Sequence, residues 1–305
     1  MTAGCALAVA LLLPFHSFVP DLPGNPGSFV ETFLPWLGTA LPPLLVLAVL
    51  IRSATALSAV LAAGAVWAAC FGPYLLPRAP TGYDLTVVQH NVSDENGDPS
   101  ATARALAAAG PDLIAVEELT RPALPAYEDV LRGSHPHHTI VGTVGLWSRY
   151  PITGTGAADI RPEGIDGDWN RGLRATVRVA QGRDIAVYVV HLPSVRMRPA
   201  TGFDARRRDE SAALLGKELA TERAPAVILM GDLNGTTADR GLSPVTSRLS
   251  GRGGAFAFSW PAAFPVAGID QVLGRGASVT EVWTLPATGS DHLPVAARVR
   301  LAPSH

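Results

Sequence analysis

Carboxylates, amides and imidazoles recur in this chain directly after short apolar runs. The clearest case is Ala226 to Met230, which breaks off at Gly231-Asp232-Leu233-Asn234. Its period-two pattern and β-branched residues predict a buried strand, and Gly231 lets the backbone turn sharply at its end. Asp232 and Asn234 then stand at a strand's C-terminal mouth, where layered α/β sheets bind ligands. An Asx turn, in which both side chains cap their own backbone, is the alternative reading of this tetrapeptide. The pattern repeats elsewhere. One run ends in Gln89-His90-Asn91, another in Glu117-Glu118 and a third in His191, while Gly268-Ile269-Asp270 leads one strand and Ser290-Asp291-His292-Leu293-Pro294 precedes the last. Charged groups are seldom fully buried unless paired or bound to a metal. Convergence of these ends predicts one polar pocket of Asn91, Glu118, His191, Asp232, Asn234, Asp270, Asp291 and His292. Hard oxygen ligands with one or two open positions suit Mg²⁺ or Mn²⁺ as cofactor.

The elements that must position these residues occupy only part of the 305 residues. Of 24 basic and 26 acidic residues, only Arg52, Asp21 and Glu31 precede Leu76. Three apolar segments, about Ala3–Val19, Phe33–Ile51 and Ala54–Leu76, each approach the ~20 residues that a helix needs to cross a bilayer. The first is short and holds Pro14 and His16; no small-residue cleavage site follows Phe18-Val19-Pro20. Arg52-Ser53 allows only a tight hairpin between the second and third. Positive loops stay cytoplasmic, so Arg52 places the hairpin inside and the C-terminal domain outside the cell membrane, in a multi-pass arrangement. Both cysteines, Cys5 and Cys70, fall in this apolar part. The division is a membrane anchor over 1–78, with a short linker from Pro77 to Gly82, and a catalytic domain over 79–305.

The remainder reads as a layered α/β domain. Asp98-Pro99 supplies a helix N-cap followed by proline at the first position, and an alanine-rich helix over Ser100–Ala109 closes at Gly110-Pro111. The strand to Glu118 follows, giving strand–helix–strand. Thr120–Leu131 is predicted helical with proline interruptions. Ser134-His135-Pro136-His137-His138 is predicted to be a solvated turn rather than a metal tract, because no carboxylate or cysteine interleaves it. Gly145–Ile152 gives a strand and a turn, and Arg161–Arg171 a long loop of the kind that covers a site. Leu173–Val179 and Ile185–Leu192 form an antiparallel hairpin. Beyond it, Arg196 and Arg198 precede a helix over about Phe203–Thr221, whose Arg206-Arg207-Arg208 is either a solvated face or a grip on anionic substrate or lipid headgroups. Val279–Thr284 and Val295–Leu301 complete the strands.

In order along the chain, Gln89-His90-Asn91, Pro111–Glu118, Ser148-Arg149-Tyr150-Pro151, Val190-His191-Leu192, Gly231-Asp232-Leu233-Asn234, Ile269-Asp270 and Ser290-Asp291-His292 resemble the motifs of the endonuclease/exonuclease/phosphatase (DNase I-like) superfamily. The resemblance covers about residues 83–302. With the apolar segments added, the chain is similar to membrane-anchored actinobacterial members that include the teicoplanin-resistance membrane proteins. The resemblance implies a four-layer α/β/β/α sandwich. It also implies Glu118 as principal Mg²⁺ ligand with Asn91 and Asp291 beside it, Asp232 orienting or deprotonating the attacking water, and Asn234 holding a phosphate oxygen. His292, paired with Asp270, and His191 would stabilise the phosphorane or assist the leaving group. Arg171 and Arg196 are candidates to bind substrate phosphate. Two positions depart from the family's pattern: Val190 stands where threonine or asparagine is frequent, and Glu117, where glutamine is common, adds a negative charge near the metal.

These features imply a divalent-metal hydrolase that cleaves a phosphate ester outside the membrane, with a lipid-linked (di)phosphate of cell-wall synthesis as the leading substrate class. A nuclease is the second choice, since the near-neutral C-terminal part offers no strong field to hold duplex nucleic acid. A catalytically silent domain that binds a lipid or antibiotic is the alternative outside the enzyme class; the presence of every expected catalytic position argues against it.

Overall fold

The computed structural model describes residues 1–20, 24–76, 82–198, 202–251 and 256–303. Most of the expected linker, Pro77 to Gly82, lies outside the described residues. The chain divides into two compact units, one of Met1–Arg78, Arg196–Asp204 and Ala238–Arg240, the other of the remaining residues.

In the first unit, α1 (Thr2–Phe15) runs on through a 3₁₀ turn to Phe18. α2 (Pro26–Thr32) precedes a 3₁₀ stretch, Leu34–Ala40, that continues as α3 (Leu41–Leu50). α4 (Ala54–Phe71) starts at Ser53, whose Oγ accepts the Ala56 N–H at 3.2 Å, and continues to Tyr74. The second apolar segment is therefore not one straight span. Pro35, Pro42 and Pro43 lack amide hydrogens and favour the 3₁₀ stretch and a helix start, and α2 meets Leu34–Leu50 at 78°. Among the described residues one helix, Ala54–Tyr74, is long and apolar enough by itself to cross a membrane, and Thr2–Phe18 is shorter.

Packing fixes the helix directions. Ala6 contacts the cluster of Ala59 and Val60 with Leu44 beside it, whereas Leu13 lies with Trp67, Phe71, Leu37 and Leu41. Hence α1 and α4 run the same way and α3 runs back between their ends. The outward faces stay apolar, with Leu7, Leu11, Val46, Val49, Leu50 and Leu61 exposed.

The second unit opens with β1 (Leu85–Asn91), α5 (Pro99–Ala108) and β2 (Leu113–Glu117); Asp98 caps α5 by accepting the Ala101 N–H at 2.8 Å. α6 (Leu124–Leu131), β3 (His137–Val141), β4 (Val144–Ser148), β5 (Ile152–Ala157), β6 (Gly172–Val179) and β7 (Arg183–His191) follow. β8 (Arg196–Arg198) and β9 (Gly202–Asp204) form a hairpin of the first unit. The chain then gives α7 (Arg206–Thr221), β10 (Val227–Asp232), α8 (Ser243–Thr246), β11 (Asp270–Arg275), β12 (Ala277–Thr284) and β13 (Val295–Leu301).

One sheet has the order β12-β13-β1-β2-β4-β3 and the other β11-β10-β7-β6-β5. Within these two sheets, among the described residues, β1/β2 and β7/β10 pair in parallel and the other neighbours antiparallel. Alternation along each strand sorts the residues into layers. Val87, Ala115, Leu146, Val187, Ile228 and Met230 meet between the sheets. Val88, Ile114 and Trp147 pack outward against Leu106 and Tyr127 of α5 and α6. Tyr188 and Leu229 pack outward against Leu215 and Val245 of α7 and α8. The layers are helix, sheet, sheet, helix, the expected sandwich.

Three local expectations need correction. The helix expected from Thr120 begins at Leu124, because Pro122 and Pro125 confine it to its last two turns. The histidine tract is neither solvated turn nor metal site: His135 is buried with Nε2 2.9 Å from the Pro111 carbonyl oxygen, and His138, in β3, stacks on Trp147 and pairs with Glu128 at 3.1 Å. Phe203 does not start α7, since its N–H donates to the Gly24 carbonyl at 2.9 Å, its carbonyl accepts from Asn25 Nδ2 at 2.7 Å and its ring meets Phe29 edge-on.

Candidate functional site

The site is the last layer of the inter-sheet core. Residues two and four positions before each strand end point into that core: Val87 in β1, Ala115 in β2, Val187 and Val189 in β7, Ile228 and Met230 in β10, with Val272 two after the start of β11. The same parity carries Gln89, Asn91, Glu117, His191, Asp232 and Asp270 inward. Every one of them is buried. Seven apolar side chains give way to six polar ones at one rim of the sandwich, and desolvation forces those polar groups to bond one another.

All but Glu117 meet across both sheets. Asp270 accepts from Gln89 Nε2 at 2.7 Å, from Ser259 Oγ at 2.5 Å and from His292 Nδ1 at 2.8 Å. His292 Nε2 then lies 3.8 Å from Asp232 Oδ2. Asp232 accepts from Asn91 Nδ2 at 3.2 Å, from the Asn234 N–H at 2.9 Å and from Asn234 Nδ2 at 3.1 Å. His191 Nε2 lies 3.7 Å from both Asp232 Oδ2 and Glu118 Oε1. The Asx turns at Asp232 and Asn91 form as well, so turn and pocket are the same structure.

Backbone strain concentrates here. Within the second unit the described non-glycine residues with positive φ are Ser93, Glu118 and Asn234, all beside the pocket. Such conformations cost of order 1–3 kcal/mol each and persist where surrounding contacts impose them. Gly231 has φ 151°, and a Cβ there would collide with the Val190 carbonyl oxygen.

Charge is distributed unevenly. Burial disfavours the His292 cation, yet the charge and hydrogen bond of Asp270, then Asp232 and Asp291, push its pKa up to about 10. Burial and the Asp270 charge raise Asp232 to about 7. Burial, the Arg171 cation and His292 lower His191 to about 3, so it stays neutral. Arg171 Nη1 sits 3.3 Å from His191 Nδ1. Glu117 is fully buried with both oxygens unpaired among the described residues. Burial, Asp270 and Asp232 raise its pKa well above 4.5 and favour its neutral form. The extra negative charge expected from it is therefore disfavoured.

Glu118 is the accessible carboxylate, with a 28 % exposed side chain; its Oε2 accepts the Asp94 N–H at 3.3 Å. Asp291 is exposed next to His292. Asp232, Asp270 and His292 form a buried group whose ligand atoms lie close enough to hold a metal ion. The direct His292–Asp270 bond fills the space between those two, so Glu118 with Asn91 is the donor pair that better fits a hard cation entering from solvent. Arg196 belongs to the other unit and is not among the residues brought together.

Several supporting residues were not anticipated. His90 points outward, Nε2 2.7 Å from Thr288 Oγ1, and Ser290 Oγ donates to the Asn91 carbonyl at 2.7 Å, fixing the loop before His292. Arg208, read from sequence as part of a solvated face or an anion grip, is buried: Nε donates to Asp209 at 2.6 Å and Nη1 to the Asn234 carbonyl at 3.0 Å. Strand parity identifies Gln89 from sequence, whereas Ser259 and Arg208 carry no local signal.

The profile of the Endonuclease/Exonuclease/phosphatase family matches residues 88–292. No curated protein matches the chain. Among solved structures, a mannosyl-6-phosphatase of Bacteroides thetaiotaomicron is 18 % identical with a TM-score of 0.59, covering 70 % of this chain and 99 % of its own. Sphingomyelinase C from Streptomyces griseocarneus is 20 % identical with a TM-score of 0.53, covering 72 % and 99 %. A double variant of beta toxin from Staphylococcus aureus with bound magnesium ions is 17 % identical with a TM-score of 0.54, covering 70 % and 99 %. At these identities the likeness is one of fold.

Proposed function

Since the chain belongs to the Endonuclease/Exonuclease/phosphatase family, whose members hydrolyse phosphoester bonds, we propose that it is a membrane-anchored, divalent-metal-dependent phosphoesterase acting outside the cytoplasmic membrane. The observation that carries the chemistry is the chain of contacts from Asp270 through His292 to Asp232 at the mouth of the sandwich. Glu118 and Asn91, with Asp291 beside them, would hold Mg²⁺ or Mn²⁺. A cation bound there neutralises the phosphate oxygens that would otherwise repel a nucleophilic water. Asp232 orients that water and takes its proton. His292, held as a cation by Asp270, donates to an equatorial oxygen or to the leaving group. His191 acts as a neutral donor with Arg171 over its ring, and Arg171 offers positive charge to the substrate. Asn234 has its amide hydrogens engaged by Leu192 and Asp232, so we assign it to aiming Asp232 rather than to holding phosphate.

Anchoring rests on the first unit. A helix of 21 residues whose most apolar window is only 22 % buried supports this reading over that of a soluble core helix. The packing directions put Arg52 and the N-terminus at one end and the C-termini of α1 and α4 at the other. With Arg52 inside, the chain leaves the bilayer outward after Tyr74. Tethering raises the effective concentration of lipid-borne substrate, which favours a lipid-linked (di)phosphate such as that of cell-wall carriers. A sugar phosphatase and a sphingomyelinase among the fold's relatives fit this chemistry. The test is turnover by the full chain in nanodiscs, with Mg²⁺ or EDTA, of polyprenyl diphosphate, phospholipid and duplex DNA. Phosphate release from a lipid substrate, lost in EDTA, is expected. Cleavage of DNA alone would make it a nuclease, and ligand binding without turnover would make it a binding protein.

A further inference from the structure

The hairpin of β8 and β9 belongs to the apolar helical unit although it lies far along the sequence. Three residues per strand cannot hold a hairpin alone. This one is fastened at the Gly24–Asn25 turn by the bonds of Phe203 described above, and by the Phe203–Phe29 ring contact at 5.7 Å. That turn joins α1 to α2, at the end of the unit where α1 terminates. Phe15, Phe18 and Phe29 are exposed there, and Leu75 and Leu76, just past α4, are exposed at the same end. Exposed Phe and Leu side chains gathered at one end of an apolar helix bundle suit the boundary between lipid headgroups and acyl chains.

The hairpin is itself two-sided. Register pairs Arg196 with Asp204, Met197 with Phe203 and Arg198 with Gly202. Alternation puts Arg196 and Arg198 on one face and Met197 and Phe203 on the other. Met197 is 66 % exposed. The Arg196 side chain is exposed and makes no hydrogen bond or ion pair among the described residues. Arg198 reaches Asp204 only at 3.7 Å with a 56 % exposed side chain. An apolar face continuous with the aromatic ring, backed by two available guanidinium groups, matches the layering of headgroup phosphate over acyl chain.

Resting on the anchoring proposed above, we propose that the 196–204 hairpin is a membrane-surface element: Arg196 and Arg198 bind the phosphates of anionic lipid headgroups, and Met197 with Phe203 sits at the acyl boundary. Each arginine should favour an anionic over a zwitterionic surface about fivefold. The experiment uses the full chain with Cys5→Ser and Cys70→Ser, both native thiols being exposed, and Met197→Cys carrying an environment-sensitive fluorophore. Reconstitution is into phosphatidylcholine vesicles with or without phosphatidylglycerol, with flotation as the first readout. The expected result is co-flotation, quenching of the probe by a headgroup-attached quencher, stronger quenching with phosphatidylglycerol, and loss of that difference in Arg196→Glu/Arg198→Glu. Inorganic phosphate should leave the probe unchanged; a response to it would mean a soluble-phosphate site and overturn the lipid assignment. Co-flotation with a probe blind to headgroup quenching and to lipid charge overturns the hairpin's role while leaving anchoring intact. Failure to float overturns both.

Discussion

Asp270 makes three hydrogen bonds and spends its charge on one of them, the bond to His292. Asp270→Asn should therefore leave substrate affinity nearly unchanged and lower kcat by about 10²–10⁴-fold. In a pH–rate profile the wild type should need Asp232 ionised, above about 7, and His292 protonated, below about 10. The variant's alkaline limb should move down toward the ordinary histidine range of ~6.5, and an unmoved limb would remove His292 from the reaction. Glu117 offers a separate test. Its folded pKa is raised, so its stabilising contribution is complete below ~4.5 and is lost as pH rises. Glu117→Gln removes that loss. Its stability advantage over wild type should grow by about 1.4 kcal/mol per pH unit above ~4.5 until the buried acid ionises, as read from denaturation at several pH values; a pH-independent difference would contradict a buried neutral acid. Asp232, Asp270, His191 and His292 were legible because each ends or begins an apolar run. Glu117 was misread because its neighbour Glu118 shares the same motif; Glu117 is the last, inward-facing residue of β2, whereas Glu118 lies past the strand end with positive φ and reaches the rim of the pocket.

At the scale of elements, β10 and α7 meet at Asn234. Arg208 reaches from α7 to the Asn234 carbonyl, and a Cβ on Gly235 would strike its guanidinium. Arg208→Leu leaves that carbonyl without this donor while Asp209, 43 % exposed, turns to solvent, which should cost about 1–3 kcal/mol. Thermal denaturation checks this: a Tm unchanged from wild type would show that Arg208 is not structural. Arg206-Arg207-Arg208 looked like a charged helix face because sequence shows composition, while the turn that rotates Arg208 inward depends on where α7 begins. That start was misplaced by three residues, since the contacts that hold Phe203 in β9 come from Gly24, Asn25 and Phe29, distant in sequence. Central strands such as β1, β7 and β10 were legible as apolar runs. The edge strands β3 and β5, rich in His, Thr and Gly, were not, because half-exposed edges carry little hydrophobic signal. Prolines inside an apolar run likewise concealed the bend before α3.

For the whole molecule, two units of opposite solvent preference share one chain. Segments 196–204 and 238–240, which follow β7 and β10, belong to the helical unit. Within that unit Glu31 is fully buried and receives Arg240 through Nε at 2.9 Å and the backbone N–H at 3.0 Å; Arg240 also donates to the Val19 and His16 carbonyls. A buried carboxylate in an apolar unit is tolerated with such bonding. Nothing local in Asp239-Arg240 announced this, because the partner lies two hundred residues earlier. Under the topology proposed above, with Arg52 inside, Gly133→Cys on an exposed turn, in a Cys5→Ser/Cys70→Ser background, should react with a membrane-impermeant maleimide on intact cells. Labelling only after lysis would place the catalytic unit in the cytosol.

The most direct measurement is phosphate release from a lipid-linked phosphoester by the purified full chain, comparing wild type with Glu118→Gln and Asp232→Asn at matched folding, with Mg²⁺ and with EDTA. Turnover by wild type is expected in Mg²⁺ and not in EDTA, with a fall of about 10²-fold or more in each variant. Equal rates in the two variants and wild type, or full activity in EDTA, would contradict a cation-assisted site at this rim of the sandwich.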